Sequence, residues 1–124
     1  MNNEEIAAVL FKAFETGDMD TVRSLCATDF RARQNLNPEF DIDTLVKFSQ
    51  AVSAVVQDFR YEEIKRAATA TGFVEEHMVR GTLEDGTKLN IAACVVADIE
   101  NGKIRHLREY LDSAAAAGLL KALS

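Results

Sequence analysis

No stretch of the sequence is apolar for the roughly 18–20 consecutive residues that a membrane-spanning helix needs, so no such span is expected. The first residues, MNNEEIAAVLFKAFETGD, carry acids where an export signal carries positive charge, and their apolar residues recur periodically instead of forming a block. Two cysteines, Cys26 and Cys94, give neither a closely spaced metal-binding pair nor a disulfide framework. Both are expected to be reduced core residues of a cytoplasmic chain. Lysine and arginine never cluster, and the net charge is −6, so nothing would follow a phosphate backbone and nucleic acid is not an expected partner. No repeat, linker or low-complexity tract interrupts the chain.

What remains is a globular pattern. A length of 124 residues with 48% hydrophobic and 27% charged residues suits one hydrophobic core, and residues 1–124 are read as one domain. Ile6, Val9, Leu10 and Phe14 recur at helical spacing, Asn2 and Glu5 form a capping-box pattern, and Gly17 is a left-handed stop, which predicts a helix over 3–16. Asp18 can cap a second helix with Met19, Val22, Leu25 and Cys26 on one face. Residues 28–40 read as irregular, with one short strand near Phe30. Asp41 or Asp43 can cap a third helix, ending near Asp58, with Leu45, Phe48, Val52, Val55 and Val56 as its buried stripe.

From Phe59 to Asp112 the pattern changes to four antiparallel strands, broken at Gly72, Asp85-Gly86 and Asn101-Gly102. A C-terminal helix follows, with Ser113 as cap and Leu119, Leu120 and Leu123 as docking residues. Hairpin register decides which side chains share the inner face, because a one-residue slip turns all of them over. Leu89, Ile91, Ala93, Val95, Ala97 and Ile99 form the apolar set assigned to the face covered by helices. A three-residue loop at Glu100-Asn101-Gly102 puts Val95 opposite Leu107, Ala93 opposite Glu109 and Ile91 opposite Leu111. A two-residue turn at Asp85-Gly86 pairs Glu76 with Val95, Met78 with Ala93 and Arg80 with Ile91, bringing those three onto the face of Glu109. A three-residue version would instead put His77 and Val79 inside. The first register is adopted here.

Three helices, a curved sheet and the stretch GTLEDGTKLNIAACVVADIENGKIRHLREYLD resemble the nuclear-transport-factor-two-like, SnoaL-like superfamily of steroid isomerases, polyketide cyclases, limonene-epoxide hydrolases and scytalone dehydratase. The resemblance covers nearly the whole chain, with the ENGKIRHLREYLD hairpin as its best local signature. It implies an α+β fold in which three N-terminal helices pack in the concave face of a curved antiparallel sheet, a cone-shaped α+β barrel, with a short C-terminal helix. It also implies a homodimer across the outer sheet face, and a small apolar, polyketide-like or terpenoid-like molecule as ligand. The steroid-isomerase oxyanion tyrosine falls near Leu10, its acidic partner near Val95 and the base near Gln34 or Asn35, none of which can do those jobs. Against the epoxide hydrolases the loop pair falls on Arg33 and Asn35, the last-strand acid on Glu109, and an arginine and an aspartate near Glu76 and Met78.

The candidate site then has Glu109, flanked by Leu107 and Leu111, as a desolvated acid or base. Arg80 would orient it or hold an anionic oxygen, and Asn35 would position a water or carbonyl. An ion pair of Glu109 with Arg80 or Arg105 is the structural alternative. Arg33, Glu76, Met78, Ile91, Ala93, Val95, Leu107 and Leu111 would contact substrate. His77 and His106 make no recognisable metal site and no serine sits in a nucleophile elbow, so neither a metal nor another cofactor is expected. Two functions are compatible: a cofactor-free isomerase, cyclase, dehydratase or epoxide-hydrolase-like enzyme using acid–base chemistry, or a non-catalytic ligand-binding or accessory domain of the same fold.

Overall fold

A computed structural model describes residues 1–124, and the elements run α1 (Asn3–Thr16), α2 (Met19–Leu25), β1 (Cys26–Gln34), α3 (Ile42–Val55), β2 (Val56–Ala68), β3 (Gly72–Leu83), β4 (Lys88–Glu100), β5 (Lys103–Leu111) and α4 (Ser113–Leu123). None of the helices is long and apolar enough to cross a membrane. The capping chemistry explains the helix starts. Asn2 and Glu5 exchange side-chain and backbone hydrogen bonds, and Gly17 ends α1 at φ 73°. Asp18 caps α2 and Asp41 caps α3. Asp112, one residue earlier than expected, caps α4 by accepting from the Ala115 N–H.

The strands form one curved, unclosed sheet in the order β1-β5-β4-β3-β2. Three pairings are antiparallel, but β1 runs parallel to β5, and it spans nine residues where the sequence pattern suggested a short strand in a loop. Phe30 and Ala32 are the inward residues that make it a strand, buried against the helices. The outer strand β2 carries two bulges, at Asp58 and Glu63, both at positive φ. Such insertions increase twist and bend the strand, so β2 curls around the helices.

Both hairpin registers differ from expectation. Between β3 and β4 the loop is Glu84-Asp85-Gly86: the Leu83 N–H donates to the Thr87 carbonyl, the Gly86 N–H to Leu83, and Gly86 lies at φ 89°. Three residues instead of two reverse the parity, so Glu75, His77 and Val79 turn inward while Glu76, Met78 and Arg80 turn outward. Between β4 and β5, Asn101 and Gly102 both have positive φ, which makes a two-residue turn with Glu100 opposite Lys103. A bulge at Arg105 then restores parity. The pairing slides by two residues, so that Val95 faces Glu109, Ala93 faces Leu111 and Ala97 faces Leu107, and every side chain stays on its expected face.

The core has two parts. Phe11, Phe14, Phe30, Phe73 and Ile104 anchor one between α1, α2 and the sheet. Val52, Val79, Leu83, Ile91, Ala116 and Leu119 anchor the other between α3, α4 and the sheet. Tyr61 on β2 packs against both. The space the two clusters leave between them is the cavity described next.

Candidate active site

The inner face of the sheet and the helices over it enclose a cavity of about 240 Å³, far more than the roughly 10–15 Å³ one water requires. Of its 25 bordering residues 18 are hydrophobic, which favours an apolar occupant. Phe11 and Phe14 come from α1, Leu45, Phe48 and Val52 from α3, Phe59 and Tyr61 from β2, and Ile91, Ala93 and Val95 from β4. α4 supplies Ala116, Leu119 and the half-exposed Leu120 at the rim.

Glu109 is the only acid on this wall. The residue keeps some accessible surface because it borders the cavity, but its carboxyl is enclosed, and desolvation pushes its pKa above the ordinary carboxylate range. His77 and a hydrogen bond from Gln34 Nε2 to Glu109 Oε1, 3.0 Å long, pull the other way. No arginine pairs with Glu109. Arg80 instead donates to Glu62, Glu63 and Asn90 on the outer face, and Arg105 pairs with Asp29 and Glu100.

Asn35 is at positive φ, where its N–H donates to the Glu109 carbonyl and its Oδ1 accepts from the Leu111 N–H at 3.0 Å. It thereby ties the end of β1 to the Glu109–Leu111 stretch of β5. Arg33 borders the cavity, but its Nη2 reaches the Tyr110 hydroxyl at 3.2 Å on the outer side of the sheet. Leu107, Leu111, Ile91, Ala93, Val95, Asn35, Arg33 and Glu109 therefore converge on one cavity. Arg80, Glu76 and Met78 do not: the three-residue loop puts them on the opposite face, and Glu76 lies 4.0 Å from Lys65 there.

Two residues on the inner side, Tyr61 and Glu75, went unread in the sequence, and a third, His77, was placed inside only by the three-residue loop that was set aside. Tyr61 lines the cavity, and burial raises its pKa well above the usual value, with Glu109, Glu15 and Glu75 adding to the shift, so its hydroxyl stays protonated and can donate. Glu75 and His77 are 0% and 1% exposed. His77 Nδ1 lies 2.6 Å from Glu75 Oε2, and Arg66 Nε donates to Glu75 Oε1 at 2.5 Å. The imidazole packs edge-on against Phe11 and at 4.3 Å between centroids on Tyr61, and its Nε2 is buried without a partner. The signal that could have revealed the pair was its own two-residue spacing, Glu75 and His77 on one face of one strand, had the loop length been known.

An enclosed carboxyl held by an amide, and a protonated phenol lining the same cavity, are groups of the kind that acid–base chemistry on a small molecule uses. A family model described as a SnoaL-like domain matches residues 7–107. No curated protein sequence matches the chain. Among solved structures, a provisionally named polyketide cyclase from Pseudomonas putida is 20% identical with a TM-score of 0.81, covering 93% of this chain and 95% of its own. An LEH-like epoxide hydrolase from M. tuberculosis is 17% identical with a TM-score of 0.74, covering 98% and 91%. A protein with a ketosteroid isomerase-like fold from Catenulispora acidiphila, in complex with trimethylamine, is 12% identical with a TM-score of 0.75, covering 88% and 86%. The TM-scores show a shared fold, and at identities of this size the likeness shows the fold alone.

Proposed function

Because the chain belongs to the SnoaL-like domain family, we propose that it is a small-molecule enzyme of the isomerase, cyclase, dehydratase or epoxide-hydrolase kind, working by acid–base chemistry on an apolar substrate without a cofactor. The observation that carries this reading is Glu109, a single enclosed carboxyl on a largely apolar cavity wall. Burial makes the carboxylate a stronger base and brings its proton exchange toward neutral pH, where a group can both take and return a proton. The substrate's apolar body would pack against Phe48, Val52, Ile91 and Leu119. Glu109 would remove a proton from it, and the Tyr61 O–H would donate to the oxygen on which negative charge develops. In an isomerisation or cyclisation Glu109 then returns the proton to the rearranged product; in a dehydration it goes to the departing hydroxide, which leaves as water; and in epoxide opening Glu109 takes its proton from the attacking water while the opened oxygen gains one from the Tyr61 side, so each course balances. Gln34 holds the carboxylate in place, Asn35 fixes the strand end that carries it and has an amide free to position an oxygen, and Arg33 borders the cavity.

The test is Glu109→Gln, which keeps the shape and loses the titratable proton, assayed with an enolisable ketone and an epoxide as probes. Turnover should fall about 10²–10⁴-fold, with the circular dichroism spectrum and probe binding retained. If the unaltered protein binds the probes without converting them, and Glu109→Gln binds them equally, the reading as a non-catalytic ligand-binding domain takes its place. What favours that second reading is that the arginine expected to orient the acid, Arg80, is engaged on the other face.

A further inference from the structure

The cavity that Glu109 borders is small for a substrate site. Its volume of about 240 Å³ lies below the roughly 300–1,000 Å³ of pockets that enclose a small molecule. A ligand of ordinary size therefore fills it and continues past its opening. Three of the bordering residues are exposed, Asn37, Ser113 and Leu120, and they mark where the cavity meets water. The opening thus lies between the turn that follows β1 and one face of α4.

Each side of this opening carries an exposed leucine. On α4, Ala116 and Leu119 are buried on the cavity wall, and Leu120, the next residue, is 48% exposed and carries the apolar surface outward. Across from it Leu36 is 87% exposed, between Asn35 and Asn37, which both border the cavity. Backbone bonds fix the segment that bears it. Ala32 and Phe40 exchange two hydrogen bonds of 2.9 Å at its base, and the Asn37 N–H donates to the Gln34 carbonyl at 3.1 Å. The Asn35 N–H donates to the Glu109 carbonyl at 2.8 Å, and its Oδ1 accepts from the Leu111 N–H at 3.0 Å. The fold therefore holds Leu36 in water at a set place beside the opening. One exposed leucine needs no explanation. Two that flank one opening extend an apolar wall beyond it. The other exposed large apolar residues lie elsewhere, Met1 at the terminus, Ile64 on β2 and Tyr110 on β5.

We propose that Leu36 and Leu120 are specificity-determining residues that cover the tail of a ligand longer than the cavity, so that the substrate is an elongated molecule with its reacting end at Glu109 and an alkyl or alkenyl chain leaving between the two leucines. The inference rests on the cavity as the substrate site. Its physical basis is burial. Each methylene taken out of water raises affinity by about fourfold when fully covered, and the increments continue for as long as protein surface lies against the chain. A cavity closed at its rim would end them at the length that fills it. A rim with a leucine on either side carries them further.

The experiment is a calorimetric titration of the intact chain with straight-chain primary alcohols from butanol to dodecanol, which are neither ketones nor epoxides and report binding alone. In the unaltered protein affinity should rise with each added methylene through the whole series, by about two- to fourfold per step. In Leu36→Ser and in Leu120→Ser the short alcohols should bind as before, while the rise stops partway and dodecanol binds about tenfold more weakly than to the unaltered protein. Leu36 is almost wholly in water, so Leu36→Ser leaves the core untouched and decides the matter if Leu120→Ser does not fold. A series that levels off early in the unaltered protein, or a rise that Leu36→Ser leaves unchanged, overturns the proposal while the reading of Glu109 stands. If no alcohol binds at all, the proposal falls together with the cavity as a ligand site. The expected series in a protein that converts neither ketone nor epoxide supports the proposal and removes the catalytic reading alone.

Discussion

A carboxyl whose pKa is raised by folding binds its proton more tightly in the folded chain than in the unfolded one. Glu109's contribution to stability is therefore fully present below the unfolded carboxylate range and is lost as pH rises through the raised folded value. Asp98, whose pKa the Arg108 guanidinium lowers, contributes in the reverse sense, and its share is lost as pH falls through the lowered value. Glu109→Gln removes the first dependence alone. Urea denaturation should show the variant more stable than the unaltered protein at neutral pH, with the difference vanishing below about pH 4; parallel curves at all pH values would mean that the carboxyl is not desolvated. The same residue shows what the sequence could disclose. Glu109 was legible because its leucine neighbours at i−2 and i+2 mark an inward face whatever the exact pairing. Glu75 and His77 were hidden because their facing turns on one residue of loop length, and Arg80, Glu76 and Met78 were drawn into the site by the same ambiguity.

At the scale of elements, most helix caps were easier to read than the registers, although α3 ends at Val55 and not near Asp58, because Val56 is already extended and opens β2. Helix caps are local hydrogen bonds written in consecutive residues, and Asn2, Gly17, Asp18 and Asp41 all act where their positions indicated. Register depends instead on turn conformation and bulges, and β1 on a parallel partner 75 residues away, as the pairing of Gln34 with Glu109 records. Close strand approach is equally silent. A Cβ built on Gly72 would lie 1.9 Å from the Ala97 carbonyl oxygen, which is backbone and has nowhere to move. Gly72→Ala should thus cost at or above the upper end of the about 1–3 kcal/mol typical of overpacking, seen as a lower urea midpoint or loss of soluble protein. Gly118, within α4, is the control: its added Cβ would meet Leu83 Cδ1 at an ordinary 3.9 Å. There the gain in helix propensity should stabilise Gly118→Ala by about 0.5–1 kcal/mol.

For the whole molecule, the unanswered question is what the outer face of the sheet meets. Its strands carry Ala92, Cys94 and Val96 on β4, Val74 and Met78 on β3 and Tyr110 on β5, all exposed or half-buried in the single chain, and adjacent by register. Most charges among them are already paired within the chain, Arg108 with Asp98, Arg80 with Glu62 and Glu63, and Glu76 with Lys65, while Arg33 meets only the Tyr110 hydroxyl. A partner could therefore cover this face at little electrostatic cost if it leaves Arg33 wet or meets it with an acceptor. We propose that a second copy does so, through an isologous contact. A stable contact needs about 800 Å² from each chain, and a sheet face continuous over three strands can supply an area of that order. Sedimentation equilibrium should show a dimer at micromolar concentration, and because assembly adds to stability by mass action, the thermal midpoint should rise with protein concentration. Ala92→Arg tests the face directly, since Ala92 is exposed in the chain and its replacement leaves the core untouched. That variant should sediment as a monomer with an unchanged circular dichroism spectrum and a midpoint independent of concentration. A monomer in the unaltered protein, or a dimer that survives Ala92→Arg with its concentration dependence intact, would place the contact elsewhere or nowhere, and the apolar residues of this face would need another explanation.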